Sequence, residues 1–151
     1  MDKALIDSSS LFDIYGATKK INQPWAQNTL RNMLTYQRQH PKLTISAMTV
    51  YELLDGLYRK EDRTAIMEFH TFLLPSYEVI RSNAQIEDKA AEINAVLARS
   101  GKIIGVIDTF IAASAIVEKL TLVNANSKHF SRIQEAGFPI VLKNWREAVD
   151  I

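Results

Sequence analysis

The chain has 151 residues, 47% hydrophobic and 23% charged, and a formal net charge of +1 at pH 7, which neither indicates nor excludes a nucleic-acid partner. The length predicts a single domain spanning residues 1–151. The absence of cysteine excludes disulfide bonds and thiolate zinc sites, and no apolar run is long enough for a signal peptide or a membrane span, so we expect a cytoplasmic protein.

Extended and helical patterns alternate along the chain. In chain order they predict a strand at 4–7, a short helix through 11–15, a helix at 22–39, a strand at 43–46, a helix at 47–55 ended by Gly56, a helix through 66–73, an extended segment at 77–80, helices at 84–99 and 109–119, strands at 121–124 and 139–143, and a short helical end beyond residue 144. Strands that alternate with helices indicate a parallel sheet covered on both faces. We therefore expect an α/β fold, a three-layer α/β/α sandwich with a mainly parallel central sheet.

Acidic and amide side chains follow the apolar runs. Asp7 ends the first run, Glu52 lies just past the second, Asp108 ends the apolar run 103–107, and Asn126 follows the strand at 121–124. Ligands of parallel sheets bind outside the carboxyl ends of the strands, so these side chains can meet in space. Clustered carboxylates repel one another unless a hard cation lies between them. The pattern therefore predicts a magnesium or manganese site.

Each of these residues also has a purely structural interpretation. Asp108 directly precedes a predicted helix and could be its N-cap, and Glu52 fits a capping box that begins at Thr49. Asp7 could form an Asx turn, and Asn126 could be an ordinary loop residue. The three histidines show no metal-ligand spacing, and His129, the one near a strand-end loop, is interpreted as a surface residue. A cap explains one acid at a time, but not why three strand ends each carry one.

Four segments in this order, 6–11, 45–56, 104–113 and 122–130, resemble the PIN domain and, more closely, the VapC-like toxins of bacterial and archaeal toxin–antitoxin pairs. The resemblance covers essentially the whole chain. It implies a compact α/β/α fold and an endoribonuclease that depends on Mg²⁺ or Mn²⁺. By position, Asp7, Glu52 and Asp108 would be the acidic metal ligands and Asn126 the fourth catalytic position. Asparagine at 126 leaves three formal negative charges, so a second metal would be held weakly.

The same resemblance implies partners. They are an RNA substrate, a cognate antitoxin that holds the toxin inactive, and a second copy of the chain in a homodimer. The antitoxin groove of relatives is formed by the early helices, which here carry Leu11, Ile14, Tyr15 and Trp25. Contacts to RNA phosphates must come from basic side chains, and Lys102 and Lys128 lie nearest the motifs.

Two other functions stay open at this point, and a receiver-like domain is a remoter alternative. A housekeeping nuclease that processes nucleic acid would have the same site and a different substrate. A non-catalytic binding module would use the acids only as helix caps. A receiver-like phosphorylation domain would need a second acid beside Asp7, where the chain has Ser8 and Ser9 instead.

Overall fold

The structure is a computed structural model that describes residues 1–148. Strands and helices alternate along this part of the chain. The strands are β1 (Ala4–Ile6), β2 (Thr44–Ser46), β3 (Glu78–Ile80), β4 (Thr121–Val123) and β5 (Leu142–Lys143). The helices are α1 (Ser8–Ala17), α2 (Pro24–Gln37), α3 (Ala47–Arg59), α4 (Arg63–Glu68), α5 (Ala84–Arg99), α6 (Val106–Val117) and α7 (Lys128–Glu135). Short 3-10 turns cover Thr18–Lys20 and Leu74–Ser76, and a π-helical turn covers Phe69–Leu73.

The five strands form one parallel sheet in the order β3-β2-β1-β4-β5. The chain builds outward from β1 through β2 to β3 and then returns to place β4 on the other side of β1. In sheets of this kind, ligands bind outside the carboxyl ends of the strands where the direction of winding reverses. Here that point lies between β1 and β4. The predicted three-layer α/β/α sandwich with a parallel central sheet is confirmed.

Apolar side chains cover the two faces of the sheet with separate core clusters. Successive residues of a strand point to opposite faces, so Leu5 packs with α5, α6 and α7, whereas Ile6 packs with α1, α2 and α3. Leu122 and Val123 divide between the same two clusters in β4. Leu5, Ile6 and Leu122 are fully buried, and each such side chain stabilises the fold by about 1.5–3 kcal/mol.

The predicted elements differ from the structure at several places. Helix α3 continues through Gly56 to Arg59, so the predicted C-cap is wrong. The apolar run 103–107 is not a strand, and α6 begins within it at Val106. Helix α7 was not predicted at all. The last strand is limited to two residues, Leu142–Lys143, because Pro139 has no N–H to donate and the chain before it ends α7.

The segment after β5 is tied to α1 and α2 by polar side chains. Arg146 makes two hydrogen bonds to the buried Asp13, at 2.6 and 2.7 Å, and its guanidinium lies 4.9 Å from the centre of the Trp25 ring. The Asn32 amide donates to the carbonyls of Trp145 and Glu147. Residues 145–147 are turns and bends, not the predicted helical end, whose remainder lies outside the described residues. Within residues 1–148, none of the helices combines the length and apolar character needed to cross a bilayer.

Candidate active site

Asp7 lies where β1 ends and α1 begins, beside the switch point of the sheet. It has extended backbone angles, φ −74° and ψ 157°, and occupies the N-cap position of α1, but its side chain caps no helical N–H. Instead, the Ser9 hydroxyl donates to Asp7 Oδ2 at 2.9 Å and accepts from the N–H of Ala125 at 3.0 Å. The Asp7 N–H donates to the Val123 carbonyl at 2.9 Å. Ser9 thus connects the Asp7 carboxylate to the loop that follows β4.

The Asp7 carboxylate is buried, and its surroundings disfavour the ionised form. Burial raises its pKa from 3.8 to about 6, and the hydrogen bond from Ser9 opposes that rise. The negative charges of Asp108 and Glu52 raise the pKa further. These two acids come from distant parts of the chain, so their effect on Asp7 places all three carboxylates in one neighbourhood. The structure therefore brings together the three acids that the sequence singled out.

Glu52 reaches this neighbourhood from α3. The Ser8 hydroxyl donates to Glu52 Oε1 at 2.6 Å and lies 3.3 Å from the Thr49 hydroxyl oxygen. The predicted capping box at Thr49 is wrong, because α3 starts earlier, at Ala47, and its N-cap is Ser46, which accepts from the N–H of Met48. Glu52 is therefore held by a side chain from α1 and is not a cap of its own helix.

Asp108 projects from the first turn of α6. The N-cap of this helix is Gly105, whose φ of +98° lies in the region that side-chain-bearing residues avoid. This turn directs the chain from the buried Ile104 into the helix. Asp108 is thus neither the end of a strand nor an N-cap, and both of those interpretations are wrong. Its Oδ2 lies 2.9 Å from Nδ1 of His129, near the start of α7.

The two asparagines after β4 occupy different environments. Asn126 is exposed, and its Oδ1 accepts from the N–H of Lys128 at 3.3 Å. This hydrogen bond lies within the loop that leads into α7. Asn124 is 1% exposed, and its Oδ1 is the buried side-chain oxygen that lacks a hydrogen-bond partner in residues 1–148. Asp7 and Asn124 directly follow the paired residues Ile6 and Val123, so their side chains leave the sheet on the same face.

The three acids share a common arrangement. Each accepts one side-chain hydrogen bond from a neighbour: Asp7 from Ser9, Glu52 from Ser8, and Asp108 from His129. The contacts of Ser8 and His129 were not predicted, because their partners come from other elements. Such contacts orient carboxylates that bind metals.

The chemistry of these side chains fits a hard divalent cation. Carboxylate oxygens are the ligands that Mg²⁺ and Mn²⁺ prefer. A positive charge beside Asp7 would favour its ionised form and lower its raised pKa. Among residues 1–148, however, no group of three or more His, Asp or Glu side chains is close enough to hold an ion together. The acids converge without forming a closed coordination shell.

The loop that follows β4 borders a cavity of about 630 Å³. Asn124 and Ser127 border it together with residues of α2 and of the chain from Leu142 to Ala148. The three acids do not line it.

Comparison with known proteins places this arrangement in a family. The sequence model of the PIN-domain family matches residues 4–136 of this chain. Ribonuclease VapC2 of Rickettsia felis is 30% identical over 114 residues, which cover 76% of this chain and 82% of that protein.

Solved structures share the fold over nearly the full chain. VapBC2 of Rickettsia felis, bound to a DNA fragment from its promoter, matches with a TM-score of 0.73 and 24% identity over 94% of this chain and 98% of that chain. DNA-bound VapBC of Salmonella typhimurium matches with a TM-score of 0.72 and 23% identity, over 96% and 99% of the two chains. VapBC-1 of nontypeable Haemophilus influenzae matches with a TM-score of 0.73 and 22% identity, over 95% of this chain and 98% of that chain. The family model over residues 4–136 and the 30% identity to a VapC ribonuclease show that the chain belongs to the PIN-domain family and is a VapC-like member of it.

Proposed function

We propose that this protein is an endoribonuclease dependent on Mg²⁺ or Mn²⁺ and the toxin of a toxin–antitoxin pair. The observation that carries the proposal is the buried Asp7 carboxylate, which experiences the negative charges of Asp108 and Glu52. Such a cluster destabilises the fold unless a cation joins it, and it belongs to a PIN domain whose relative is a ribonuclease. RNA in the cytoplasm is the proposed substrate.

The three acids divide the work of the site. Asp7 and Asp108 would hold the ion, and Glu52 would act as a further ligand or orient the attacking water. When bound, such an ion lowers the pKa of a water and neutralises charge that builds on the phosphoryl oxygens. The water oxygen then bonds to phosphorus, the bond from phosphorus to the leaving oxygen breaks, and the leaving oxygen takes up a proton. Asn126 would assist from the fourth position by a hydrogen bond.

The hydrogen bonds from α1 fix the orientation of two of these acids. Ser9 holds Oδ2 of Asp7, and Ser8 holds Oε1 of Glu52. In each case the second carboxylate oxygen is free of recorded side-chain hydrogen bonds, and that oxygen is the one available to a ligand. Preorganised acids need no rearrangement when substrate arrives, which lowers the barrier to reaction.

Basic side chains beside the acids would bind the RNA backbone. Lys102 and Lys128 are both exposed, one in the segment before α6, which carries Asp108, and the other at the start of α7, next to His129. Each contact to a phosphate releases counterions, and affinity then falls as the salt concentration rises.

A cognate antitoxin and a second copy of the chain are the proposed protein partners. The similar solved structures include VapBC complexes. Of the early-helix residues suggested for the antitoxin groove, Leu11 is fully buried in the core and Trp25 lies beneath the Arg146 guanidinium. Tyr15 of α1, also suggested for the groove, is exposed, as are the aromatic side chains of Phe12 on α1 and Tyr51 on α3. We propose that these exposed rings bind the antitoxin.

Cleavage of total RNA by purified, antitoxin-free protein tests the nuclease proposal. We expect discrete products with Mg²⁺ or Mn²⁺, none with EDTA, and none from the Asp7→Asn variant. Asp88→Asn is the matched control, because Asp88 is an exposed acid on α5 and should leave cleavage unchanged. Metal-independent products, or full activity in Asp7→Asn, would contradict the proposal.

Co-purification tests the antitoxin proposal. The product of a small gene adjacent to this one should bind the protein and suppress cleavage. Replacing Phe12 and Tyr51 with serine should weaken that binding without changing the activity of the free protein. Binding that survives both substitutions would place the antitoxin elsewhere.

A further inference from the structure

His129 is the one histidine that the structure brings to the acids. Its Nδ1 lies 2.9 Å from Oδ2 of Asp108, and this contact is the side-chain hydrogen bond recorded for Asp108 in residues 1–148. A carboxylate oxygen accepts, so Nδ1 of His129 is the donor.

The contact contributes little to holding the fold together. The side chains of His129 and Asp108 are 46% and 29% exposed, and exposed pairs of this kind add little to stability. Helix α7 is already attached to the core by Phe130 and Ile133, which are 2% and 0% exposed. The position of His129 is therefore set by the burial of its neighbour Phe130.

The contact completes a pattern shared by the three acids. Ser9 and Ser8, both on α1, hold one oxygen each of Asp7 and Glu52, but α1 provides no recorded donor to Asp108. Asp108 lies on α6, and its donor comes from α7 instead. Helix α7 follows directly on the loop after β4, whose Ala125 N–H donates to Ser9. One loop thus connects the donors of Asp7 and Asp108.

We propose that His129 is a positioning residue for the nuclease site. It fixes Oδ2 of Asp108 and leaves Oδ1 to bind a divalent cation together with Asp7. The inference depends on the proposed metal-dependent nuclease function, whose failure is visible in the wild-type protein alone. His129 acts through Asp108 and touches neither the RNA nor the reacting atoms. Hydrogen-bonded neighbours of metal ligands typically change metal affinity or activity by about 10- to 100-fold when they are removed.

Direct titration with Mn²⁺, followed by electron paramagnetic resonance, tests the inference without relying on cleavage. His129→Ala should weaken Mn²⁺ binding by about 10- to 100-fold, whereas His129→Asn should restore most of the affinity because its amide can donate from a similar place. In an Asp108→Asn background, His129→Ala should cause no further loss. His70→Ala is the control, because His70 is exposed and lies outside the site.

Cleavage kinetics separate this role from contact with RNA. His129→Ala should lower kcat at limiting Mn²⁺ and recover as Mn²⁺ is raised, with KM for RNA unchanged. An unchanged Mn²⁺ affinity would overturn the inference, as would an effect confined to KM, which would assign His129 to the substrate. Tighter Mn²⁺ binding in His129→Ala would also overturn it, because His129 would then compete with the ion. If the wild-type protein binds no Mn²⁺ and cleaves no RNA, the proposed function fails first.

Discussion

Replacing Asp7 with asparagine should stabilise the metal-free protein while it removes activity. Asp7 is 6% exposed, and burial is the main cause that raises its pKa from 3.8 to about 6. One unit of pKa corresponds to about 1.4 kcal/mol, so an ionised Asp7 costs the folded state roughly 3 kcal/mol at neutral pH. Asparagine has no charge to desolvate and keeps an oxygen that can accept from Ser9. The variant should therefore recover much of that free energy.

The dependence on pH follows from the direction of the shift. The folded-state pKa of Asp7 is about 6, above the ordinary value of 3.8 that applies to the unfolded chain. Below about pH 4 the carboxyl is protonated in both states, and its ionisation costs nothing. As the pH rises to about 6, the unfolded chain releases this proton while the folded protein retains it, so the wild type loses stability relative to the variant. Above about pH 6 the difference stays constant.

Thermal unfolding in EDTA, followed by circular dichroism at pH 4 and pH 7.5, measures this difference. At pH 7.5 the Tm of Asp7→Asn should exceed that of the wild type by roughly 6–12 °C, since about 1 kcal/mol shifts Tm by roughly 2–4 °C in a chain of this size. The gap should shrink at pH 4, and Mn²⁺ should raise the Tm of the wild type more than that of the variant. The Tm of Asp88→Asn should equal that of the wild type at both pH values. An equal or lower Tm for Asp7→Asn at pH 7.5 would refute the electrostatic account of the site.

Three further substitutions test other parts of the structure. Ser9→Ala should lower kcat by about 10- to 100-fold because the Asp7 carboxylate loses its hydrogen bond, whereas Ser9→Thr should retain activity; equal loss in both would point to a packing effect. Arg146→Met should lower the free energy of unfolding by roughly 2–3 kcal/mol, seen as a lower urea midpoint, because the buried Asp13 loses a bidentate partner. Lys128→Ala should raise KM for RNA and reduce its salt dependence at constant kcat; a change in kcat alone would argue against a phosphate contact.

The parallel sheet was predictable because its strands are short and apolar and its helices carry regular apolar stripes. Helix α5 has the predicted bounds, since Ile86, Ala90, Ile93 and Leu97 repeat at helical spacing and all four are buried. Helix α7 was not predicted because it is short and polar, and Phe130 and Ile133 are its buried residues. Two apolar residues do not establish a period.

The sequence singled out the three acids as a group, but it placed Asp108 at the end of a strand. The run 103–107 is as apolar as a buried strand, yet Gly105 turns the chain into α6 and puts Asp108 inside the first helical turn. Glu52 lies on α3, within the helix predicted at 47–55. Helices α3 and α6 both start at the carboxyl edge of the sheet, where Asp7 also lies.

The partners of the acids could not be predicted from sequence spacing. The contact between Ser8 and Glu52 joins α1 to α3, and the contact between His129 and Asp108 joins α6 to α7. Each depends on how two helices pack, which no local pattern encodes. The buried Asn124 Oδ1, which lacks a hydrogen-bond partner in residues 1–148, was not predicted either, because burial depends on the packing of the whole fold.

The central claim is that Asp7 and Asp108 share one divalent cation. Anomalous diffraction from crystals of the antitoxin-free protein soaked in Mn²⁺ tests it most directly. We expect a single strong peak within ligand distance of both carboxylates, with His129 still hydrogen-bonded to Asp108, and no such peak in Asp7→Asn crystals. A peak away from Asp7, or none in wild-type crystals at millimolar Mn²⁺, would contradict the claim.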